Sequence, residues 1–376
     1  MVLLPLLLML PAHASAAFQC GLSAVPLTFD GRPRSFKLYV PPTVCRVATP
    51  TAMPRSVPLV VAIHCFGCTP ENILAISKSI ADKYGFILAA PVGIGSSFNA
   101  GPCCGEAMQS RLDDVGFVRA IIQNLVSGGP IANVSNVSAK AVYAFGFSNG
   151  GFLASLAALR LPEIRGFVSL AGHVYDFGNS PNPRAVSVHW MKTDAAVRYE
   201  GCCSGSSCCC NINHVSCVGA EEIFRRWMHI NRCNGSFAFD LRAGVECQVG
   251  SGCLRPTRLC SYLSGSHHHW ASSYHDGDSV GEFIAQDACA VGGVWDVGCK
   301  CCSGFTGDYC LDAEEARTER SDRRKCRDSM LQSGQGSFTR RRTSIVFTLG
   351  FLTAAVFLVV GGWHVARIIG QRQHEM

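Results

Sequence analysis

Residues 139–160, AKAVYAFGFSNGGFLASLAALR, leave this chain few folds to choose from. The run 141–145 is apolar, β-branched and aromatic, which reads as a buried strand. The run 152–160 is rich in Ala and Leu, which reads as a helix. Between them lies Gly146-Phe147-Ser148-Asn149-Gly150. So tight a strand-to-helix turn holds Ser148 in a strained backbone with its hydroxyl above the end of the strand. The glycines are needed because a Cβ there would strike the neighbouring strand and helix. The helix N-terminus that follows offers N–H groups to a developing oxyanion. A second G-x-S-x-G, Gly277-Asp278-Ser279-Val280-Gly281, follows the polar stretch SSYHDGD and reads as loop.

Apolar segments on either side repeat the alternation of strand and helix. Strands are expected at 34–40, 58–64, 86–91, 167–171 and 185–189, and helices at 71–84, 115–126, 220–230 and 280–288. Asp113 and Asp114 suit the N-terminus of the 115–126 helix. Such alternation argues for a mostly parallel sheet with helices on both faces, the α/β class. Apolar residues make up 48% of the chain and charged residues 16%, enough for a sizeable core. The net charge is +6, with much of the excess in 311–376; no basic stripe with interleaved aromatics marks the main domain, so nucleic acid is not an expected partner.

Twenty-two cysteines, all before residue 327, point to an oxidising compartment. An apolar run at 2–10 and small-x-small sites ending at Ala14 and Ala16 read as a signal peptide over 1–16, although its n-region carries no Lys or Arg. Glycosylation sequons begin at Asn133, Asn136 and Asn234. The expected main domain spans 17–288, with a Cys-rich insert at 202–217 that holds six cysteines. Cys299, Cys301 and Cys310, preceded by Cys289, fit the second half of an EGF-like module, so 289–310 reads as a partial EGF-like unit. Residues 311–343 read as a charged stalk. The uncharged run 344–363 is long enough for a membrane helix, leaving 364–376 as a cytoplasmic tail. Arginines at 340–342 oppose that orientation by the positive-inside rule, but signal, cysteines and sequons outweigh them. The chain is therefore expected to be a single-pass type I protein of the cell membrane, with its main domain extracellular or lumenal.

An activated serine needs a base, and the base needs an orienting carboxylate. On sheets of this kind the order is Ser, then Asp or Glu, then His. Asp194 follows the strand at 185–189 through a short turn, at the end where catalytic groups collect; Asp176 is the alternate acid. His267, His268 and His269 stand downstream on a Gly/Ser-rich loop, and the residue types alone do not choose among them. Three adjacent histidines also suit a metal tract, but no carboxylates stand at ligand spacing, so neither metal nor organic cofactor is expected. Two N–H donors for an oxyanion are expected, one from Asn149 and one from Cys65 or Phe66 after the 58–64 strand. Cys65-Phe66-Gly67-Cys68 reads as a structural pair in this compartment.

Together these stretches resemble the polyhydroxybutyrate depolymerase and feruloyl esterase-like family of secreted α/β-hydrolases, over about residues 34–288. The resemblance rests on Asn99-Ala100-Gly101, Cys103-Cys104-Gly105 and Asp113-Asp114-Val115-Gly116-Phe117. It also rests on Gly146–Gly151, on Thr193-Asp194 with Val197 and Tyr199, and on His268-His269-Trp270 as an H-x-W motif. It implies the α/β-hydrolase fold and selects His268, giving a triad of Ser148, Asp194 and His268. Cys65 stands where the family usually has Gly, Trp190 where it has Gly before the acid turn, and Ala271-Ser272 replaces Pro-Gly. The implied activity is that of a membrane-anchored serine esterase working through an acyl-enzyme. Its implied substrates are aromatic (feruloyl-type) or hydroxyalkanoate esters on an extracellular polymer. The alternative is an adhesion or receptor ectodomain that keeps the fold without the chemistry.

Overall fold

Ten strands join into one sheet in the computed structural model, which describes residues 20–45, 56–101, 103–131, 136–172, 182–202, 217–267, 270, 276–290 and four short strands beyond. The chain enters through a hairpin, β1 (Gly21–Phe29) and β2 (Arg32–Val40). Asp30 and Gly31 both have positive φ at its turn, the geometry that matches the twist of paired strands. Then come β3 (Ser56–Ile63), α1 (Pro70–Tyr84), β4 (Ile87–Pro91), the short α2 (Gly105–Gln109) and α3 (Asp114–Val126). The central unit is β5 (Asn136–Phe147) with α4 (Asn149–Arg160), followed by β6 (Gly166–Leu170) and β7 (Ala185–Met191). A small ribbon, β8 (Gly201–Cys202) with β9 (Cys217–Val218), closes the Cys-rich insert at its ends, and 203–216 lie outside the described residues. After α5 (Ala220–Ile230) the chain runs β10 (Gly235–Arg242), β11 (Val245–Ser251), β12 (Thr257–Tyr262) and α6 (Gly277–Cys289).

The strand order is β1-β2-β4-β3-β5-β6-β7-β12-β11-β10. Strands β4, β3, β5, β6, β7 and β12 are mutually parallel, and the outer pairs at each edge are antiparallel. The parallel strands are apolar on both faces because both are covered. In β3, Leu59, Val61 and Ile63 pack toward α3, α4 and α5, while Val60 and Ala62 pack toward α1 and α6. The mostly parallel α/β sheet is thus as expected. Sequence reading did not resolve the antiparallel edges β1, β10 and β11, nor the parallel strand β12 beside β7. It also took 277–281 for loop. That stretch is the first turn of α6, where Ser279 Oγ accepts from Arg258 at 2.9 Å and Gly281 packs against Tyr84.

Disulfides Cys20–Cys45, Cys65–Cys68, Cys103–Cys104, Cys233–Cys253 and Cys247–Cys260 are formed among the described residues, and Cys289 is also disulfide-bonded. Cys247 and Cys260 face each other across β11 and β12. Beyond α6 lie two short antiparallel ribbons, β13 (Gly293–Trp295) with β14 (Cys299–Cys301) and β15 (Phe305–Thr306) with β16 (Asp312–Ala313). The expected signal peptide, membrane span and tail lie outside the described residues, as do the expected stalk apart from the two residues of β16 and the positions Asn133, Asp176 and Cys310. Among the described residues no helix is long and apolar enough to cross a membrane. Asn136 and Asn234 are exposed, at the start of β5 and just before β10.

Candidate active site

Three parallel strands, β5, β7 and β12, end on the same edge of the sheet, and the segments that follow them carry three polar side chains. Ser148 follows β5 directly, with φ 54° and ψ −120°. Its N–H bonds the Leu170 carbonyl at the end of β6, and its own carbonyl accepts from Phe152 N, so the turn is held on both sides. The close approach expected of the glycines is present. A Cβ on Gly150 would come within 2.6 Å of the His64 carbonyl oxygen, and one on Gly151 within 2.7 Å of Ser169 Oγ. Only glycine lets α4 start this close to the end of β3. Ser148 is 8% exposed.

Asp194 lies three residues past β7 and is buried. Its Oδ1 accepts from the N–H groups of Ala196 (2.9 Å) and Val197 (2.8 Å). Its Oδ2 accepts from Nδ1 of His267 at 2.8 Å. The carboxylate therefore has three N–H donors and a fixed orientation. Trp190, the departure noted before the acid turn, braces it: the fully buried indole donates from Nε1 to the Val197 carbonyl at 2.7 Å.

His267 completes the arrangement. Its Nε2 lies 2.9 Å from Ser148 Oγ. A carboxylate oxygen only accepts, so Nδ1 carries the proton toward Asp194, and the Nε2 lone pair faces the serine hydroxyl. The ring also packs on Phe147 at 5.0 Å between centroids. Thr193 Oγ1 donates to the Gly265 carbonyl at 2.6 Å, tying the acid turn to the histidine loop. Trp270, also buried, meets Tyr262 edge-on at 4.8 Å.

The imidazole between Asp194 and Ser148 is thus His267, where the resemblance selected His268. His268 and His269 lie outside the described residues. The position between acid and hydroxyl holds one ring, and His267 fills both of its contacts. The spacing to Trp270 is therefore H-x-x-W, one residue longer than the motif used to choose among the three.

Cys65 and Phe66 follow β3 in a turn closed by the Cys65–Cys68 disulfide. The close approach of Gly150 to the Ile63 and His64 carbonyls sets the end of β3, from which this turn leaves, against the first turn of α4, which Asn149 begins. Phe66 is 47% exposed, a large apolar ring in this turn. His64, which sequence reading treated only as a strand end, is buried. Its Nδ1 donates to the Cys65 carbonyl at 2.8 Å and its Nε2 accepts from Gly93 N at 3.2 Å. Burial holds its pKa below the usual histidine range, so it sits as the neutral ring that both bonds require.

No family model matches the chain. It is 27% identical over 210 residues to feruloyl esterase B of Piromyces equi, covering 54% of this chain and 35% of that protein. It is 31% identical over 150 residues to the putative esterase NocK of Nocardia uniformis subsp. tsuyamanensis, covering 38% of this chain and 39% of that protein. The chain thus spans little more than a third of the length of these relatives. Among solved structures it is similar to LpqC, a poly(3-hydroxybutyrate) depolymerase from Bordetella parapertussis (17% identity, 48% of this chain and 68% of that one, TM-score 0.35). It is also similar to an S-formylglutathione hydrolase from Agrobacterium tumefaciens (12% identity, 70% and 94%, TM-score 0.42).

Proposed function

We propose that this chain is a serine carboxylic ester hydrolase of the α/β-hydrolase type, with Ser148 as nucleophile, His267 as general base and Asp194 as the acid that orients it. The observation that carries this is the unbroken pair of hydrogen bonds, Asp194 to His267 and His267 to Ser148. Ser148 Oγ attacks the ester carbonyl while His267 Nε2 takes its proton, and Asp194 stabilises the imidazolium that forms. The main-chain N–H of Asn149 and one from Cys65 or Phe66 hold the oxyanion. His267 then returns the proton to the leaving alcohol, and water releases the acyl group by the same steps in reverse. The matches to a feruloyl esterase and a putative esterase support an ester as the substrate class.

The finer reading is an aromatic or hydroxyalkanoate ester on an extracellular polymer, hydrolysed by an enzyme tethered through 344–363. The formed disulfides support the oxidising compartment that this requires. The test is a fluorophosphonate probe on the full-length chain, with a panel of methyl ferulate, short p-nitrophenyl esters and hydroxybutyrate oligomers. Labelling and turnover that vanish in Ser148→Ala support the proposal. Folded wild-type protein that neither labels nor turns over any ester would reject it in favour of the adhesion reading.

A further inference from the structure

The two expected oxyanion donors come from segments with no shared backbone: the start of α4 and the turn after β3. Their spacing must still be fixed, because donors are useful only at about 2.7–3.1 Å from the developing charge. One loop, 93–105, touches both segments. On the α4 side, the carboxamide of Asn149, fully buried, pairs with the main chain of Phe98. Its Oδ1 accepts from Phe98 N at 2.8 Å and its Nδ2 donates to Phe98 O at 2.9 Å. This is a two-point contact of the kind strands make with each other. The same Nδ2 lies 3.7 Å from Cys103 Sγ.

On the β3 side, Gly67 N donates to the Ser96 carbonyl at 2.8 Å, and Gly93 N donates to His64. The Phe98 ring packs on the His64 ring at 4.6 Å. Gly105 leaves room for the Phe66 ring, since a Cβ there would come within 2.6 Å of Phe66 Cε2. The described residues of the loop, 93–101 and 103–105, are also bonded to one another and to α3. Ala100 N bonds Cys103 O, Cys104 N bonds Phe98 O, and Asn99 N bonds Asp114, whose other oxygen is paired with the buried Arg34 guanidinium at 2.8 Å.

We propose that loop 93–105 holds the two halves of the oxyanion pocket in register, and that the Asn149 carboxamide is the positioning group that docks it onto the elbow. This rests on the serine esterase reading. The main-chain N–H of Asn149 is a donor whatever the side chain. The side chain decides where that N–H stands relative to the turn at 65–66. Removing it leaves substrate contacts in place and loosens a geometry that matters only when charge develops on the carbonyl oxygen, so kcat falls while KM holds.

The experiment measures kcat, KM and phenylboronic acid inhibition for wild type, Asn149→Ala, Asn149→Asp and Ser148→Ala, all as full-length protein on one p-nitrophenyl ester. Asn149→Ala is expected to lower kcat about 10- to 100-fold with KM within about threefold, and to weaken the tetrahedral boronate adduct by a similar factor. Asn149→Asp keeps the shape and the acceptor but loses the donor to Phe98 O. Its kcat is expected to fall too, and it gives the same comparison if the alanine variant does not fold. A folded Asn149 variant with kcat within twofold of wild type, or with a loss confined to KM, would overturn the inference while leaving the esterase reading intact. Inactive wild type, or full activity in Ser148→Ala, would overturn both.

Discussion

The histidine loop offers the sharpest test, because resemblance and geometry name different residues. His267 lies between Ser148 (2.9 Å) and Asp194 (2.8 Å), on a ring 5.0 Å from Phe147. His267→Ala removes the proton acceptor of the attack and the donor to the leaving alcohol together. Loss of a base that acts as a unit with its serine lowers kcat by about 10⁴-fold or more, which is about 5.5 kcal/mol of transition-state stabilisation. Asp194 would keep its two main-chain donors, so the acid turn stays folded. His268→Ala is expected to stay within about threefold of wild type, the range of a change outside the reacting groups.

The assay is the rate of fluorophosphonate labelling, read beside p-nitrophenyl ester turnover and the thermal midpoint of each variant. Labelling needs the activated hydroxyl, so it falls in His267→Ala even where hydrolysis nears background. If His268→Ala abolished labelling while His267→Ala stayed within tenfold of wild type, both folded, the assignment of the base would be wrong. The one-residue difference in spacing to Trp270 would then be wrong as well.

Asp194→Asn is expected to lower kcat about 10³- to 10⁴-fold with little change in thermal midpoint, because the amide forces the wrong His267 tautomer while its oxygen still caps the acid turn. Trp190→Gly, which restores the residue the resemblance expects, is expected to cost about 3–5 kcal/mol in denaturant unfolding, since it empties a fully buried site and frees the Val197 carbonyl. His189 is buried between Ser187 and Tyr262, and burial, with Arg258 nearby, holds its pKa well below the ordinary 6.5. The unfolded chain takes up that proton as pH falls through 6.5 and the folded chain does not. Stability is therefore full above that pH and declines below it. Denaturation midpoints at pH 8, 6.5 and 5 should fall along that series, and less steeply in His189→Gln; an equal slope in the variant would exclude His189 as a source.

Legibility followed burial. Five of the six parallel strands are continuous apolar runs with two covered faces, so 58–64, 86–91, 141–145, 167–171 and 185–189 declared themselves by composition; β12, TRLCSY, is nearly as buried but is broken by Arg, Cys and Ser and did not. The elbow declared itself because glycines on both sides of a serine have a steric cause. The edges did not. β10 is exposed along most of its length, and its residues carry no burial signal. The β1–β2 hairpin was missed although Asp30-Gly31 between alternating runs is a turn signal with a known geometry. Ser148 and Asp194 were reachable from strand ends alone. The base was not, because three adjacent histidines on a loop differ only in which ring the loop aims at Asp194. That aim depends on Thr193 holding Gly265, a contact between residues 72 positions apart. The Asn149 carboxamide escaped for a similar reason: its partner is a loop main chain, and main chain leaves no signature in a sequence.

Strain at Ser148 bears on whether this site works or merely survives as a shell. A non-glycine residue at φ 54° and ψ −120° stores on the order of 1–3 kcal/mol, and an inert scaffold would gain by relaxing it. Ser148→Ala removes the hydroxyl and keeps the strain. Ser148→Gly removes both, at the expense of about 0.4–1 kcal/mol of extra freedom in the unfolded chain. Ser148→Gly is therefore expected to unfold about 1 kcal/mol later than Ser148→Ala, with both inactive. That order would mean the backbone is held against its own preference to present an oxygen to His267, the trade of stability for activity that working sites make. If the glycine variant is the less stable of the two, the turn is not strained in solution, and the positive φ no longer argues for chemistry at Ser148.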